Sequence, residues 1–323
     1  MIFPGMGPSR FRDVARFLLV NPLARRLLAG ADEALGYSLF ERYRDCDDDS
    51  DDYSEHAQVA FLVSCLAMAQ WAEHTAGARP TVCAGPSFGG KAAAVYAGAL
   101  TFSDAVRMTA RQARCEAEYF ARRHTDVVTH SFTRMPAQRL DGLLDELAGR
   151  GEWHEISCYV DDDFHMVSLR DGMLEWFQRR LRALGGFPLY TMRPPMHCAA
   201  FGELRELVER EVFGELTFAD PRLPVVADQD GTVLDTAAGV RTMLLDGIVR
   251  PVRWPAVVAT LRRLGVGTVC VAGQDSIFGR VGCTTRSFEV VAASPKAAMR
   301  PRPRPAALPE PERRLARSNI CFT

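Results

Sequence analysis

The sequence predicts an α/β protein in which a large α/β subdomain is interrupted by a small ferredoxin-like subdomain. Short apolar strands alternate with amphipathic helices at both ends of the chain, the pattern of an α/β layer architecture. Between residues 124 and 192 the order becomes strand–helix–strand–strand–helix–strand, or βαββαβ. A chain of 323 residues is too long for one minimal domain, and at 47% hydrophobic it has enough apolar material for a large core. We therefore assign 1–123 and 193–293 to the large subdomain and 124–192 to the small one.

The first third of the chain predicts a helix-rich segment around one buried turn. Residues 1–7 resemble a strand end that leads into a tight turn. Since a core strand is usually longer than this, we expect the natural start a few residues upstream. Ser103 or Asp104 is expected to cap the last helix of this segment. The other predicted elements are helical stretches at 11–43 and 54–75, a strand at 81–84, a turn at 85–90, a helix from Lys91 and a helix from 103 to about 122.

The rest of the chain predicts the insertion and a return to the α/β pattern. The small subdomain has strands at 127–135, 154–160, 164–170 and 187–193 and helices at 137–148 and 172–184. The large subdomain continues with helices at 199–213, 237–247 and 254–264 and strands at 223–227 and 267–272. Alternating Pro and Arg from 294 to 323 predicts a disordered tail, because such a composition cannot bury a core.

Composition excludes several classes of function. The net charge of -1 gives no global attraction to nucleic acid. No apolar run approaches the roughly 20 residues of a membrane span, and no signal peptide is visible. The nine cysteines lack CxxC spacing, which disfavours a metal cluster or a disulfide framework and favours the cytoplasm. The acidic run 45–52 is interpreted as a solvated loop, so no bound metal is expected.

The sharpest local motif is Gly85-Pro86-Ser87-Phe88-Gly89, between a predicted strand and a predicted helix. This is the setting of a nucleophile elbow in an α/β-hydrolase-like subdomain, where glycines permit a strained turn that exposes the serine hydroxyl. The N-terminus of the following helix can stabilise a developing oxyanion. Taken alone the motif is only moderately specific, since a glycine-rich turn with a serine also occurs without catalysis.

A serine nucleophile needs a base, and His197 is the best candidate among seven histidines. It follows the stiff segment 193–196 and precedes an apolar helix start. A structural histidine remains the alternative from spacing alone. The other six lie on predicted helix surfaces or in the small subdomain: His56, His74, His124, His130, His154 and His165.

Five ordered segments together resemble the malonyl-CoA:acyl-carrier-protein transacylase family and the related acyltransferases of polyketide synthases. The resemblance covers about residues 1–290. The segments are Phe3-Pro4-Gly5-Met6-Gly7, the elbow 85–89, Ala97-Gly98-Ala99-Leu100 with Asp104-Ala105-Val106, Pro195-Met196-His197-Cys198, and Pro251-Val252-Arg253-Trp254.

The resemblance implies a role for each matching residue. Ser87 would take the acyl group as an ester, and His197 would act as general base and then as general acid. The backbone N–H groups of Met6 and Phe88 would form the oxyanion hole. The acyl groups would be carried on the phosphopantetheine of donor and acceptor acyl carrier proteins, with no bound cofactor.

Departures from the family pattern concern the acyl pocket. Gln112 stands where family members that use malonyl carry an arginine that binds the free carboxylate. A one-residue shift that lets Arg111 take this role is the alternative. Pro86 replaces the histidine before the nucleophile. We therefore predict that Pro86, Gln112 and Met196 line a pocket for an acyl group other than malonyl.

The chain most resembles the standalone branch that passes aminoacyl or dipeptidyl groups between carrier proteins in macrolactam polyketide biosynthesis, as in vicenistatin-type pathways. Three alternatives stay open: an acyl carrier protein hydrolase of the same fold, a malonyl-CoA:acyl carrier protein transacylase, and a noncatalytic docking protein. A carrier-protein docking surface beside the cleft is expected from five arginines: Arg179, Arg180, Arg182, Arg122 and Arg123.

Overall fold

A computed structural model describes residues 1–7, 11–45 and 53–300 of the chain. The predicted acidic loop, apart from Asp45, and the predicted tail from residue 301 onward lie outside the described residues. Among the described residues, no helix has the length and apolar character that crossing a bilayer requires.

The described chain begins with four helices and then mixes strands and helices, as expected for an α/β protein. The helices are α1 (Phe11–Val20), α2 (Pro22–Leu35), α3 (Leu39–Arg44), α4 (Glu55–Ala76), α5 (Gly89–Tyr96), α6 (Phe102–Phe120), α7 (Ala137–Ala148), α8 (Leu174–Ala183), α9 (Gly202–Glu211), α10 (Ala237–Asp246), α11 (Trp254–Arg263), α12 (Gly282–Thr285) and α13 (Pro295–Ala298). The strands are β1 (Cys83–Ala84), β2 (Val127–Thr133), β3 (His154–Asp161), β4 (Phe164–Arg170), β5 (Phe187–Met192), β6 (Val225–Val226), β7 (Val233–Leu234), β8 (Val252–Arg253), β9 (Thr268–Ala272) and β10 (Glu289–Ala293).

The large subdomain is built around a mostly parallel sheet. β1 pairs in parallel with β6, and β9 pairs in parallel with β10. Ile2 joins the two halves, because it bridges Ala84 on one side and Val271 on the other. Helix α4 is buried along most of its length beside this sheet, as expected for a helix that is apolar on nearly every face. The sheet therefore brings the N-terminal segment directly beside the end of β1.

The small subdomain has the sheet order β5-β2-β4-β3, with every neighbouring pair antiparallel. This is the ferredoxin-like arrangement that the sequence predicts. Helices α7 and α8 cover one face, where Val128 and Phe132 pack against Phe177 and Leu181. β8 of the large subdomain extends the sheet by pairing in parallel with β3.

Local capping corrects three expectations. The helical stretch 11–43 is three helices, because the side chains of Asn21 and Ser38 each start a new one. Helix α6 is capped by Thr101, whose hydroxyl accepts from the N–H of Asp104 at 3.1 Å, so a cap at Ser103 or Asp104 was wrong. The chain also stays ordered past 294, since Ser294 caps α13.

Candidate active site

The turn between β1 and α5 places Ser87 in a strained conformation, with φ of 55°. Both flanking glycines are required by close backbone approach. A Cβ on Gly85 would lie 2.1 Å from the carbonyl oxygen of Gly89, and a Cβ on Gly89 would lie 2.1 Å from that of Phe3. The sequence folds locally as a nucleophile elbow because only glycine fits on either side of the serine.

His197 reaches Ser87 from the segment before α9, and its Nε2 lies 2.8 Å from the Ser87 Oγ. Its Nδ1 bonds the carbonyl oxygen of Gly247. A carbonyl only accepts, so Nδ1 carries the proton and Nε2 is free to accept from the serine. Burial lowers the pKa of His197 to about 4, so the ring is neutral near pH 7. The pair thus has the protonation state that a general base requires.

Asp228 is a residue of this site that the sequence reasoning missed. Its Oδ2 accepts from the backbone N–H of Ser87 at 2.6 Å, and its side chain is buried. Burial raises the pKa of its carboxyl to about 7. It follows β6, which pairs with β1, and the carboxyl ends of neighbouring parallel strands meet at one edge of a sheet. That topology is the signal that could have identified it.

The proposed oxyanion donors remain available in this geometry. Because the Ser87 N–H is held by Asp228, it does not face a substrate. Within the described parts of the chain, the N–H groups of Met6 and Phe88 bond no backbone carbonyl, and both residues line the cavity beside Ser87. Their role stays a prediction that the geometry permits. Across the same residues, no group of three or more His, Cys, Asp or Glu side chains is arranged to hold a metal.

Two cavities meet at Ser87 and His197. The smaller, of about 110 Å³, lies against α5 and α6. The larger, of about 240 Å³, lies between the small subdomain sheet and the loop 275–278. Thr129 and Ser131 of β2 face this larger cavity, so this face of the sheet is the one opposite α7 and α8. The nucleophile therefore sits where two chambers join.

The smaller cavity contains Gln112 and Met196, as the sequence predicts, but Pro86 lies buried in the turn and lines neither cavity. The Gln112 Nε2 donates to Glu116 Oε1 at 2.7 Å, so its amide nitrogen is already engaged. The side chain of Gln112 therefore orients the carboxylate of Glu116 through this hydrogen bond.

The arginines beside Gln112 face away from the cavity. Arg111 pairs with Glu215 at 2.7 Å and Arg114 pairs with Glu55 at 2.6 Å. Neither lines the cavity beside Ser87, so the shift that would make Arg111 the carboxylate ligand does not occur.

The five predicted docking arginines lie on two segments, helix α8 and the turn before β2. Helix α8 covers the outer face of the small sheet, so placing its arginines beside the cavities was wrong. Arg180 is held by Glu146 at 2.5 and 2.9 Å, whereas Arg179 approaches Glu175 only at 3.8 Å. The remaining three are Arg182 at the end of α8 and Arg122 and Arg123 in the turn before β2.

Comparison with known proteins gives one family match and many relatives. The family model described as VinK acyltransferase small domain matches residues 131–192. The malonyl CoA-acyl carrier protein transacylase of Salmonella typhimurium is 24% identical over 303 residues, covering 91% of this chain and 94% of that protein. The probable mitochondrial malonyl-CoA-acyl carrier protein transacylase of Drosophila melanogaster is 29% identical over 266 residues, covering 79% and 69%.

Solved structures share the fold. A type II polyketide malonyl-transacylase in complex with its acyl-carrier protein aligns with a TM-score of 0.79 at 22% identity, covering 90% of this chain and 94% of that one. The acyltransferase domain from the second module of the salinomycin polyketide synthase aligns with a TM-score of 0.74 at 21% identity, covering 90% and 67%. These two structures therefore share the fold of this chain over about 90% of its length.

Proposed function

We propose that the chain, as a member of the acyltransferase family that includes the malonyl-CoA-acyl carrier protein transacylases, moves an acyl group between acyl carrier proteins through an ester on Ser87. One observation carries this proposal: the Ser87 hydroxyl contacts the neutral, buried imidazole of His197 at 2.8 Å. A noncatalytic docking protein would have no need to keep this strained serine beside a base.

The reaction follows from the geometry of the pair. The Ser87 hydroxyl gives its proton to His197 Nε2 as its oxygen attacks the thioester carbonyl carbon. The negative oxygen that forms is stabilised by the N–H groups of Met6 and Phe88. The carbon–sulfur bond then breaks, the imidazolium protonates the departing thiol, and acyl-Ser87 remains. Attack by a second thiol reverses these steps and releases the acyl group to the acceptor.

The orientation of His197 depends on a backbone carbonyl rather than on a carboxylate. The carbonyl oxygen of Gly247 accepts a hydrogen bond from the Nδ1–H group, which fixes the tautomer without adding a negative charge beside the ring. Asp228 lies elsewhere in the site, where its Oδ2 accepts from the backbone N–H of Ser87. We infer that it holds the elbow in place, as a positioning residue.

We propose that the acyl group is not malonyl. Among the described residues that line the smaller cavity, the one cation is Lys91 and the carboxylates include Glu116. A malonyl carboxylate would therefore be a further negative charge beside a single cation, and the nearby arginines are paired elsewhere. A buried carboxylate that lacks a counter-charge of its own costs on the order of 3–5 kcal/mol. Aminoacyl or dipeptidyl groups of macrolactam polyketide assembly are the finer proposal, supported by the branch that the sequence resembles.

A malonyl-CoA-acyl carrier protein transacylase is the second candidate, since the curated relatives carry that name. A hydrolase of the same fold differs only in the final acceptor, which would be water. Intact-mass analysis separates all three. The parent protein is incubated with acyl thioesters on a carrier protein, and the mass added to the enzyme and to a second carrier protein is followed.

Ser87→Ala tests the serine directly. Removing the hydroxyl should abolish the acyl adduct and all transfer, while the thermal melting curve stays close to that of the parent. Ser287→Ala, a change at a serine outside both cavities, serves as the matched control and should load normally. An adduct that persists in the Ser87→Ala protein would refute the assignment.

A further inference from the structure

Lys91 places a positive charge in the smaller cavity for which the reaction has no use. It is the third residue of α5 and lies four residues after Ser87 in sequence. Helical side chains lean toward the N-terminus, so Lys91 leans toward the elbow. The side chain is 7% exposed, and its Nζ lies 4.7 Å from the centre of the Phe88 ring.

This position is unfavourable for a lysine on two counts. The N-terminus of a helix carries partial positive charge, which repels an ammonium. Burial also lowers the pKa of Lys91, and the nearby negative charge of Glu116, which acts in the opposite direction, only partly offsets this effect. Among the residues that the structure describes, Lys91 forms no ion pair with a carboxylate and no hydrogen bond beyond those of the helix backbone. Its ammonium therefore remains a donor without an acceptor, beside the nucleophile.

Glu116 offers the complementary group on another wall of the same cavity. It lies on α6, one turn after Gln112, and is 6% exposed. Its Oε1 accepts from the Gln112 amide at 2.7 Å, which fixes the direction of the carboxylate. Within the described chain, no hydrogen bond engages its Oε2. The cavity thus presents one free donor and one free acceptor.

We propose that Lys91 and Glu116 determine which acyl group Ser87 accepts. Lys91 donates to a carbonyl oxygen that lies beyond the thioester, and Glu116 accepts from an N–H of an amine or amide in the same acyl chain. Gln112 is the positioning residue that aims Glu116. The proposal rests on the proposed function, because it requires that Ser87 takes the acyl group.

The pair disfavours two other kinds of acyl group. A plain alkyl chain would exclude water from the charged groups of Lys91 and Glu116 without forming a hydrogen bond to either, and this desolvation costs free energy. An anionic chain would satisfy Lys91 but would bring a second negative charge into the cavity of Glu116. Only a chain with both a carbonyl oxygen and an N–H matches both walls.

The test compares thioesters of equal length on the full-length protein. Glycyl-β-alanyl and heptanoyl pantetheine thioesters have seven chain atoms each in the acyl group, and malonyl pantetheine supplies the anion. Single-turnover loading of Ser87 is followed by intact mass. Because a hydrogen bond to a charged group contributes roughly 1.5–3 kcal/mol, glycyl-β-alanyl should load roughly 10- to 100-fold faster than heptanoyl.

Two substitutions assign the selectivity to these residues. Glu116→Gln and Lys91→Met should each lower the glycyl-β-alanyl to heptanoyl ratio roughly 10-fold or more. Glu118→Gln, on the exposed face of α6, and Lys296→Met, at the other lysine of the chain, are matched controls that should keep the parent ratio.

The outcomes separate this inference from the proposed function. A parent ratio near one, malonyl as the fastest donor, or a ratio that survives both substitutions would each overturn the recognition role while leaving acylation intact. The parent ratio needs no variant, so the inference stays open to refutation even if a substitution prevents folding. Failure of every thioester to acylate Ser87 would instead overturn the proposed function.

Discussion

Replacing Asp228 with asparagine should make the stability of the protein respond differently to pH. The carboxyl is buried and its pKa is raised from the ordinary 3.8 to about 7. Because the folded-state pKa is the higher one, the contribution of this group to stability is greatest below pH 3.8 and is lost as the pH rises toward 7. The amide of the introduced asparagine does not titrate, and its oxygen can still accept from the Ser87 N–H.

The size of the effect follows from the two pKa values. Each pH unit between them changes the free energy of unfolding by about 1.4 kcal/mol. Two such units lie between pH 5 and pH 7, and the dependence flattens above pH 7. The stability of the asparagine variant relative to the parent should therefore be about 2–3 kcal/mol more favourable at pH 8 than at pH 5.

Urea unfolding of parent and variant at both pH values measures this double difference, in which all other titrating groups cancel. Asp235→Asn, at an exposed carboxylate on the loop before α10, is the control and should show no such difference. If Asp228→Asn gives the same change in stability at pH 5 and pH 8, the carboxyl titrates like an exposed one, and the argument from burial is wrong.

Three more predictions concern the base, the glycines and the surface arginines. Because burial lowers the pKa of His197 to about 4, the rate of single-turnover loading from a small thioester should change by no more than about twofold from pH 6 to pH 8. The rate should fall only below about pH 5. A pH–rate profile with its midpoint near 6.5 would contradict the burial of the ring. Gly89→Ala should lower the free energy of unfolding by about 2–4 kcal/mol, because the added Cβ would collide with the Phe3 carbonyl. Gly142→Ala in α7, where the added Cβ meets open space, should raise the free energy of unfolding by about 0.5–1 kcal/mol. Denaturant unfolding curves measure both changes. Because α8 covers the face of the small sheet that is turned away from both cavities, Arg179→Glu and Arg182→Glu should leave both transfer to a carrier protein and loading from a small thioester unchanged. Slower transfer at low salt with normal loading would instead place carrier-protein docking on α8.

The sequence was most informative where a pattern is local. The predicted helix 137–148 and strand 164–170 coincide with α7 and β4, because helix amphipathicity and strand alternation are readable within a few residues. The elbow at Ser87 is equally local, since its glycines are dictated by the turn itself. Pairing with His197 rested on the ordered family segments, and the structure brings the two side chains into contact.

What the sequence did not reveal depends on contacts between distant segments. Asp228 reaches Ser87 only because β6 pairs with β1, and nothing in its own neighbourhood marks it. The outer position of α8 follows from which face of β2 is apolar, a choice visible in the alternation of Val128 and Phe132 with Thr129 and Ser131. Gln112 lines the smaller cavity, as the sequence predicts. Its hydrogen bond to Glu116 depends on side-chain conformations that the sequence pattern does not specify.

The pairing of β8 with β3 limits how the insertion can move. The chain enters the small sheet at β2 and leaves it at β5, and these neighbouring strands form one edge. A small sheet that is connected to the large subdomain only at this edge could rotate about it as a rigid body. β8 clamps the opposite edge, three strand spacings or about 14 Å away from β2. The larger cavity therefore lies beneath a sheet that is joined to the large subdomain at both edges, so swinging this sheet away from the cavity would require breaking the β8–β3 pairing.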